Sequence, residues 1–181
     1  KTILLNLDIL KMKLNIGSGT TRLKDCVNID IEEKYHPNIC ADFRRLSYEN
    51  IEEIQARHIL EHFDREEAIK VLKLWHSWLA VGGKLIIETP DINRICEFIA
   101  HPPVKYWASK EWMVRALYGS QEAEWAFHKD GWYKEKYEKI LPELGFKVIL
   151  IKQKHSYVRY GKTNTKYRLP NILVIAEKIN V

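Results

Sequence analysis

Two glycines early in the chain have the spacing of a ligand-binding turn. The run Leu14-Asn-Ile-Gly-Ser-Gly19 places Gly17 and Gly19 directly after a short apolar segment. Glycine has no Cβ, so a ligand can approach the backbone of such a turn closely, and in an open parallel sheet that ligand lies outside the carboxyl ends of the strands. Arg22 occupies the position of the third glycine of the dinucleotide fingerprint, which disfavours an NAD site.

Two aspartates follow the next two short apolar runs. Asp30 comes eleven residues after Gly19, and its carboxylate could accept hydrogen bonds from the two hydroxyls of a ribose. Asp42 could take the exocyclic amine of an adenine, with Phe43 or Leu46 against the ring. Each aspartate could instead be a helix cap or a turn residue. Ligand-type residues at the ends of three consecutive strands favour a nucleoside site.

Three histidines, His58, His62 and His128, are candidates for accepting a proton, because the pKa of histidine lies near neutrality. His128 is the first choice as a general base, since it lies between an aromatic segment and the last helix pattern, and His62 is the second. Each could equally be structural, His128 as a loop residue bonded to the backbone and His62 at a helix entry. His58-x-x-Glu61-His62 contains metal-ligand residue types but not the HExxH order, so no metal site is predicted.

The elements that position these residues follow from the apolar pattern. Short apolar runs bounded by Gly, Asp, Pro or acidic residues predict strands at 13–16, 26–29, 38–41, 54–57 and 84–89. Apolar residues at three- and four-residue spacing predict a helix capped by Asp64 and ended by the glycines at 82–83. Further helices are predicted from Asp91 to about Ala100 and from about Lys134 to Leu144.

The order of these elements indicates an α/β protein with a mainly parallel sheet. Two β-rich runs at 146–154 and 169–177 close the chain and could form an antiparallel hairpin. Only the residues 20–25 separate Gly19 from Cys26, whereas a parallel crossover usually takes a dozen or more. The first crossover helix is therefore expected to be lost or reduced to a turn.

Length and composition fit one domain. The chain has 181 residues, of which 46% are hydrophobic and 29% charged, and no apolar run approaches the length that spans a bilayer. The start, Lys1–Leu10, has no small-residue cleavage site, so no signal peptide is expected. The three cysteines form no CxxC pair, which favours reduced thiols in a cytoplasmic protein. The protein is expected to be a monomer or a homodimer.

Charge and aromatic residues are both unevenly distributed. Residues 145–181 carry a net charge of +7, and the first 144 residues carry −2, which suggests an anionic partner or a solvated edge. Eight of the twenty aromatic residues lie between Tyr106 and Tyr133. The segment 104–133 could be an aromatic lid over an acceptor site, or a satellite core under a long loop.

The order and spacing of these motifs resemble those of the class I S-adenosylmethionine-dependent methyltransferases. The resembling segments cover most of the chain and are Leu14–Gly19, Asn28–Ile31, Ala41–Leu46, Arg57–Phe63, Val71–Asp91, and Phe127–Trp132 with Leu141–Phe146. The resemblance implies a Rossmann-like fold in a single domain over 1–181. That fold has a seven-stranded, mainly parallel sheet with an antiparallel last strand and helices on both faces.

The resemblance also implies a cofactor, S-adenosylmethionine, and the residues that would bind it. From its methionine end to its adenine end these are Gly17, Ser18, Gly19, Asp30, Ile31, Asp42 and Phe43. His58 would face the sulfonium. Asn15 stands where many members carry an acid that meets the cofactor's amino group, and an amide accepts that hydrogen bond without adding charge.

Three functions remain open from the sequence. The leading one is methylation of a small molecule or glycan, at an oxygen, by in-line displacement with a histidine base. The second is a nucleic-acid (RNA) methyltransferase that uses the basic, tyrosine-containing segment 152–168. Against it, the Asn/Asp-Pro-Pro-aromatic motif of base methylation is missing after the fourth strand. The third is a non-catalytic subunit that keeps the cofactor fold and supports a partner protein.

Overall fold

A mixed β-sheet forms the centre of the protein, in a computed structural model that describes residues 12–101, 109–159 and 166–180. In chain order its strands are β1 Lys13–Ile16, β2 Val27–Asp30, β3 Ile39–Cys40, β4 Ile51–Arg57, β5 Leu79–Pro90, β6 Phe146–Arg159 and β7 Lys166–Lys178. The helices are α1 Arg65–Trp78, α2 Ile92–Ala100, α3 Lys110–Tyr118 and α4 Lys134–Glu143. Single 3₁₀ turns lie at Glu33–Tyr35, Phe43–Arg45, Leu60–His62 and Glu124–Ala126.

Some features of the sequence lie outside the described residues. These are the start Lys1–Leu10, the aromatic residues Tyr106 and Trp107, and the polar connection that contains Gly161 and Asn164. Across 12–101, 109–159 and 166–180, every helix is too short or too polar to cross a bilayer.

The sheet has seven strands in the order β3-β2-β1-β4-β5-β7-β6, counted over the described part of the chain. The pairs β2–β3, β1–β2, β1–β4 and β4–β5 are parallel, and β7 runs antiparallel to both β5 and β6. Helices pack around this sheet. The predicted fold class is confirmed, including the antiparallel last strand, and the closing hairpin is longer than the apolar pattern predicted.

One face of the sheet carries the main core. Strand register aligns Leu14 with Ile54, Ile54 with Leu85 and Leu85 with Ala176, and these apolar side chains pack with residues of α1 and α4. On α1, Leu72 and Trp75 are fully buried, and on α4 so are Tyr137 and Leu141. A second, smaller cluster joins α2 and α3 to Leu169 at the carboxyl-end side of the sheet.

Helix α1 begins as predicted and ends earlier. The carboxylate of Asp64 accepts hydrogen bonds from the backbone nitrogens of Glu66 and Glu67. The glycines at 82–83 do not end the helix, because α1 stops at Trp78 and β5 begins at once. They lie instead in a bulge of β5, where a Cβ on Gly83 would come within 2.8 Å of the carbonyl oxygens of Ala80 and Ile51.

The connection between β1 and β2 has no helix. Residues 17–26 form turns, which confirms the predicted shortening of this crossover. The buried amide of Asn28 takes over part of the helix's role, because its Nδ2 donates to the carbonyls of Leu23 and Cys26 and its Oδ1 accepts from Leu23 N at 2.8 Å. Asn15 and Asn38 extend this amide network to the flanking segments, with contacts of 2.9 and 2.8 Å to Asn28.

Replacing Asn28 by alanine is expected to destabilise the fold by about 2–3 kcal/mol, because several buried backbone groups of the crossover lose their partner. Urea unfolding of the wild type and Asn28→Ala measures this difference. Asn93→Ala is the matched control, since Asn93 is exposed on α2. A loss no larger than that of the control would show that the amide network does not hold the crossover.

Candidate functional site

A cavity of about 790 Å³ opens where β1, β2 and β4 end. The predicted cofactor residues all line it, namely Asn15, Gly17, Ser18, Gly19, Asp30, Ile31, Asp42, Phe43 and His58. His62 lines the same cavity, whereas His128 lies behind it, in contact with the His62 ring. The structure thus brings the predicted residues to one place. His128 does not reach the cavity, whereas a base has to contact the acceptor directly.

The glycine turn has a backbone that requires glycine. Gly17 has φ +63° and Gly19 has φ +48°, a region that side chains disfavour. A Cβ on Gly17 would also lie 1.8 Å from Cδ1 of Ile59, so this position excludes a side chain for two reasons. The turn is held to β2, because Ser18 N donates to the Ile29 carbonyl and Gly19 N donates to Asp30.

Gly17→Ala and Gly19→Ala separate the two constraints. Gly19→Ala is expected to cost about 1–2 kcal/mol, the strain of a side chain in this region, because no atom lies within 4 Å of its Cβ. Gly17→Ala is expected to cost about 1–3 kcal/mol more, since Ile59 must move. Chemical denaturation measures both. The double variant Gly17→Ala/Ile59→Ala should be less destabilised than the sum of its single changes, and strict additivity would contradict the clash.

Asp30 connects the turn to the end of β2. It is 8% exposed, and one carboxylate oxygen accepts from Gly19 N at 2.7 Å while the other accepts from Glu32 N at 2.9 Å. A carboxylate oxygen can accept more than one hydrogen bond, so both retain capacity toward the cavity. Asp30 is therefore a structural link of the turn and also an acceptor on the cavity wall.

Asn15 is more committed to the fold than its predicted ligand role suggests. Its Nδ2 donates to the carbonyl of Thr21 and to Oδ1 of Asn28, each at 2.9 Å, and the residue is 4% exposed. The amide nitrogen thus holds the turn. Only the side-chain oxygen is left to accept a hydrogen bond from a ligand's amino group.

Asp42 has a strong partner that sequence reasoning missed. Arg44 donates to both carboxylate oxygens of Asp42, with a shortest contact of 2.7 Å, and also pairs with Glu67 of α1. The hydrogen bond from Arg44 holds the pKa of Asp42 below its ordinary value. The backbone nitrogen of Glu67 donates to the cap Asp64, while its carboxylate faces Arg44. The sequence did contain a signal for this ion pair, because Arg44 follows Asp42 by two positions.

Phe43 packs mainly into the core. It is 7% exposed, and its ring lies 5.9 Å from that of Phe63 and 5.8 Å from that of Trp75. Its place on the cavity wall leaves only part of the ring for a ligand. The predicted stacking surface for adenine is therefore smaller than a free phenylalanine would offer.

Arg44→Met should lower stability at pH 7 by no more than about 1 kcal/mol, because the pair is partly exposed. A carboxylate with a lowered folded-state pKa stabilises the protein above its unfolded pKa, and this contribution is lost as pH falls through the folded pKa. The difference from wild type should therefore shrink below about pH 4. Denaturation at several pH values tests this. Arg45→Met, which removes the same charge one residue away, should show a smaller difference at pH 7.

His58, at the end of β4, is half-buried and joins a polar network whose other members, Glu61, Glu88 and Asn171, are buried. Its Nδ1 is 3.1 Å from Glu61, and Asn171 Nδ2 donates both to His58 Nε2 at 3.2 Å and to Glu88 at 2.9 Å. Because an amide nitrogen only donates, Nε2 of His58 is the acceptor and Nδ1 carries the proton toward Glu61. Burial alone would lower the pKa of His58, but the hydrogen bond to Glu61 and the nearby carboxylates outweigh it and raise that pKa.

The basic C-terminal hairpin takes part in this network. Lys154 of β6 lies 2.7 Å from Glu88, and both residues line the cavity. Burial would raise the pKa of Glu88, but the hydrogen bonds from Lys154 and Asn171 outweigh it and lower that pKa. Lys178 donates to the carbonyl of Leu79 at the other end of the sheet. At least these two lysines of the basic segment are therefore bonded within the fold.

Glu61, His62 and His128 form a cluster that no sequence spacing revealed. One donor atom of each side chain lies within 4.8 Å of the others. The backbone brings them together, because the carbonyl of Glu61 accepts from Lys129 N at 2.8 Å and so docks the loop of His128 onto the 3₁₀ turn Leu60–His62. Burial lowers the pKa of His128, while the three nearby histidines outweigh burial and lower that of Glu61.

The aromatic residues of segment 104–133 that the structure describes lie in different places, some in hydrophobic clusters and one on the cavity wall. Trp132 is 1% exposed and packs on Tyr137 in the main core, and Trp112 packs against the α2–α3 cluster. Trp125 lines the cavity, and its Nε1 donates to Glu32 beyond the end of β2 at 2.9 Å. Core and cavity wall are therefore both present, and Trp125 is the residue that fits the predicted lid.

Comparison with known proteins bears on the fold. No protein-family model and no curated protein matches the sequence. Among solved structures, a SAM-dependent methyltransferase of Methanosarcina mazei has a TM-score of 0.64 at 15% identity, over 94% of this chain and 93% of its own. One of Archaeoglobus fulgidus has a TM-score of 0.59 at 16% identity, over 93% and 86% of the two chains.

A third similar structure contains ligands. It is the 1,6-didemethyltoxoflavin-N1-methyltransferase of Burkholderia thailandensis with bound 1,6-didemethyltoxoflavin and S-adenosylhomocysteine. Its TM-score is 0.57 at 13% identity, over 93% of this chain and 71% of that one. The chain has the fold of SAM-dependent methyltransferases. This agrees with the strand order and with the position of the glycine turn at the carboxyl end of β1.

Proposed function

We propose that the protein transfers the methyl group of S-adenosylmethionine to an oxygen of a small molecule or glycan. The observation that carries this proposal is the pairing of Gly19 N with the carboxylate of Asp30 on the wall of a cavity in this fold. The turn offers a close backbone approach, and the carboxylate offers acceptors for ribose hydroxyls. The carboxyl ends of parallel strands are where open α/β sheets bind such ligands.

The reaction needs little covalent chemistry from the protein. The acceptor oxygen attacks the methyl carbon, the carbon–sulfur bond breaks, and sulfur keeps the electron pair as a neutral thioether. The cofactor supplies the reactive sulfonium, so the chain's task is to orient the acceptor and exclude water. In this proposal the glycine turn, Asp30, Ile31, Asp42 and Phe43 hold the cofactor, and His58 marks the end that faces the sulfonium.

The acceptor lies on the side of His62, Trp125 and Lys154, which share the cavity with the glycine turn. Of the two predicted bases, His62 is the one that meets the acceptor, and His128 contacts it with ring centres 4.8 Å apart. A small acceptor is supported by the volume of about 790 Å³, within the usual range of small-molecule sites. The free cysteines Cys26, Cys40 and Cys96 support a reducing, cytoplasmic location.

Calorimetry with S-adenosylhomocysteine tests the proposal. The wild type should bind it at one site, and Asp30→Asn should bind at least tenfold more weakly, because the ribose loses a charged acceptor. Asp25→Asn, which changes an exposed aspartate beside the same turn, is the control and should bind as the wild type does.

Asp30 also holds the turn, so the thermal unfolding of each variant is measured alongside. The absence of any binding to the wild type would overturn the proposed function. Unchanged affinity in a folded Asp30→Asn would remove Asp30 from the ribose site. Strongly salt-dependent binding to RNA without binding of S-adenosylhomocysteine would favour the nucleic-acid alternative.

A further inference from the structure

A buried carboxylate lies beside two imidazoles, its Oε1 4.0 Å from Nε2 of His128, and its other oxygen lacks a hydrogen-bond partner. Glu61 is 2% exposed, and within residues 12–101, 109–159 and 166–180 its Oε2 has none. Its Oε1 accepts from His58. A buried carboxylate oxygen without a partner requires an explanation, and a bound cation is one that chemistry offers.

The two imidazoles next to Glu61 are oriented as metal ligands are. Nδ1 of His62 lies 3.1 Å from the carbonyl of Phe127, and Nδ1 of His128 lies 2.8 Å from the carbonyl of Ala116. A carbonyl only accepts, so each Nδ1 carries the proton and each Nε2 presents its lone pair. An imidazole that donates one N–H to a backbone carbonyl and binds with the other nitrogen is the usual arrangement at metal sites.

The separations are close to those of a coordinated ion. The three donor atoms lie within 4.8 Å of one another, and tetrahedral bonds of about 2.0–2.1 Å bring ligand atoms to roughly 3.3 Å apart. Each donor therefore has to move inward by under ~1 Å. The backbones of the two segments are tied together through the Glu61 carbonyl, which accepts from Lys129 N at 2.8 Å.

We propose that Glu61, His62 and His128 bind one divalent cation of the zinc, cobalt or iron(II) type beside the acceptor end of the cavity, whose wall His62 forms there. Two imidazoles and one carboxylate are a ligand set that these ions accept, with coordination positions left open. His58 positions Glu61 through its Nδ1. This proposal rests on the proposed function only for what the cation does there, not for its binding.

In methyl transfer, the cation would bind the acceptor hydroxyl and lower its pKa. The proton then goes to solvent, and the oxygen attacks the methyl carbon as the carbon–sulfur bond breaks and sulfur takes the electron pair. With the cation bound, Nε2 of His62 is a metal ligand and cannot act as the base. The cation then replaces His62 in activating the acceptor hydroxyl. It narrows the acceptor to a molecule that presents a hydroxyl group.

Cobalt(II) is the probe that tests the site. Titration of metal-free wild type with CoCl₂ should show one equivalent bound, with the visible absorption of nitrogen and oxygen ligation and without thiolate charge-transfer bands. Binding should weaken at least tenfold in Glu61→Gln and in His128→Ala. His36→Asn is the matched control, because His36 is exposed on a turn outside the cluster, and its binding should not change.

Circular dichroism and thermal unfolding show whether each variant is folded, and His62→Ala replaces any variant that is not. No cobalt binding to the wild type, or equal binding in all variants, would overturn the cation site. The titration is done without cofactor. If the protein binds S-adenosylhomocysteine but not cobalt, the proposed function stands and the cation site is overturned. If it binds cobalt but not S-adenosylhomocysteine, the cation site stands and the proposed function is overturned.

Discussion

The short crossover between β1 and β2 is the constraint on which the cofactor side of the protein depends. Parallel neighbours must be joined by a connection that runs back along the sheet, and residues 17–26 do this without a helix to pair their backbone groups. The buried amide of Asn28 pairs several of them instead. The glycine turn then has a defined position, and Asp30 joins it to the end of β2. The position of the glycine turn here follows from hydrogen bonds of side chains to backbone, where a helix would otherwise provide them.

Glu61 has a corresponding role around the histidines His58, His62 and His128. Its backbone carbonyl docks the 127–130 loop, and its carboxylate lies among His58, His62 and His128. The hairpin of β6 and β7 closes the same region, because Asn171 and Lys154 both bond to Glu88. Segments separated by 66 to 113 residues in sequence therefore meet around two buried carboxylates. The C-terminal segment has a net charge of +7, and one of its positive charges, that of Lys154, is paired with Glu88 inside the protein.

Sequence patterns within a short window predicted most of the secondary structure. Apolar periodicity located most strands and helices, Asp64 was recognised as a helix cap, and the spacing between Gly19 and Cys26 was too short for a helix. Contacts between distant segments were not predictable in this way. Arg44 covers Asp42, Phe43 turns into the core, and β5 begins directly after α1 because its first residue pairs with Ile51. Each of these outcomes depends on a partner from another element, which no window of sequence contains.

The sequence by itself determined the fold class and the cofactor end of the cavity. Glycines, aspartates and strand ends of one short region, 14–43, encode both, and parallel strands necessarily bring their carboxyl ends to one edge. Only the tertiary structure decided the arrangement around Glu61. His62 and His128 are 66 positions apart in the chain, and the docking of one loop on the Glu61 carbonyl sets their contact. The sequence therefore showed three histidines as separate candidates, and the fold brought all three to one buried carboxylate, Glu61.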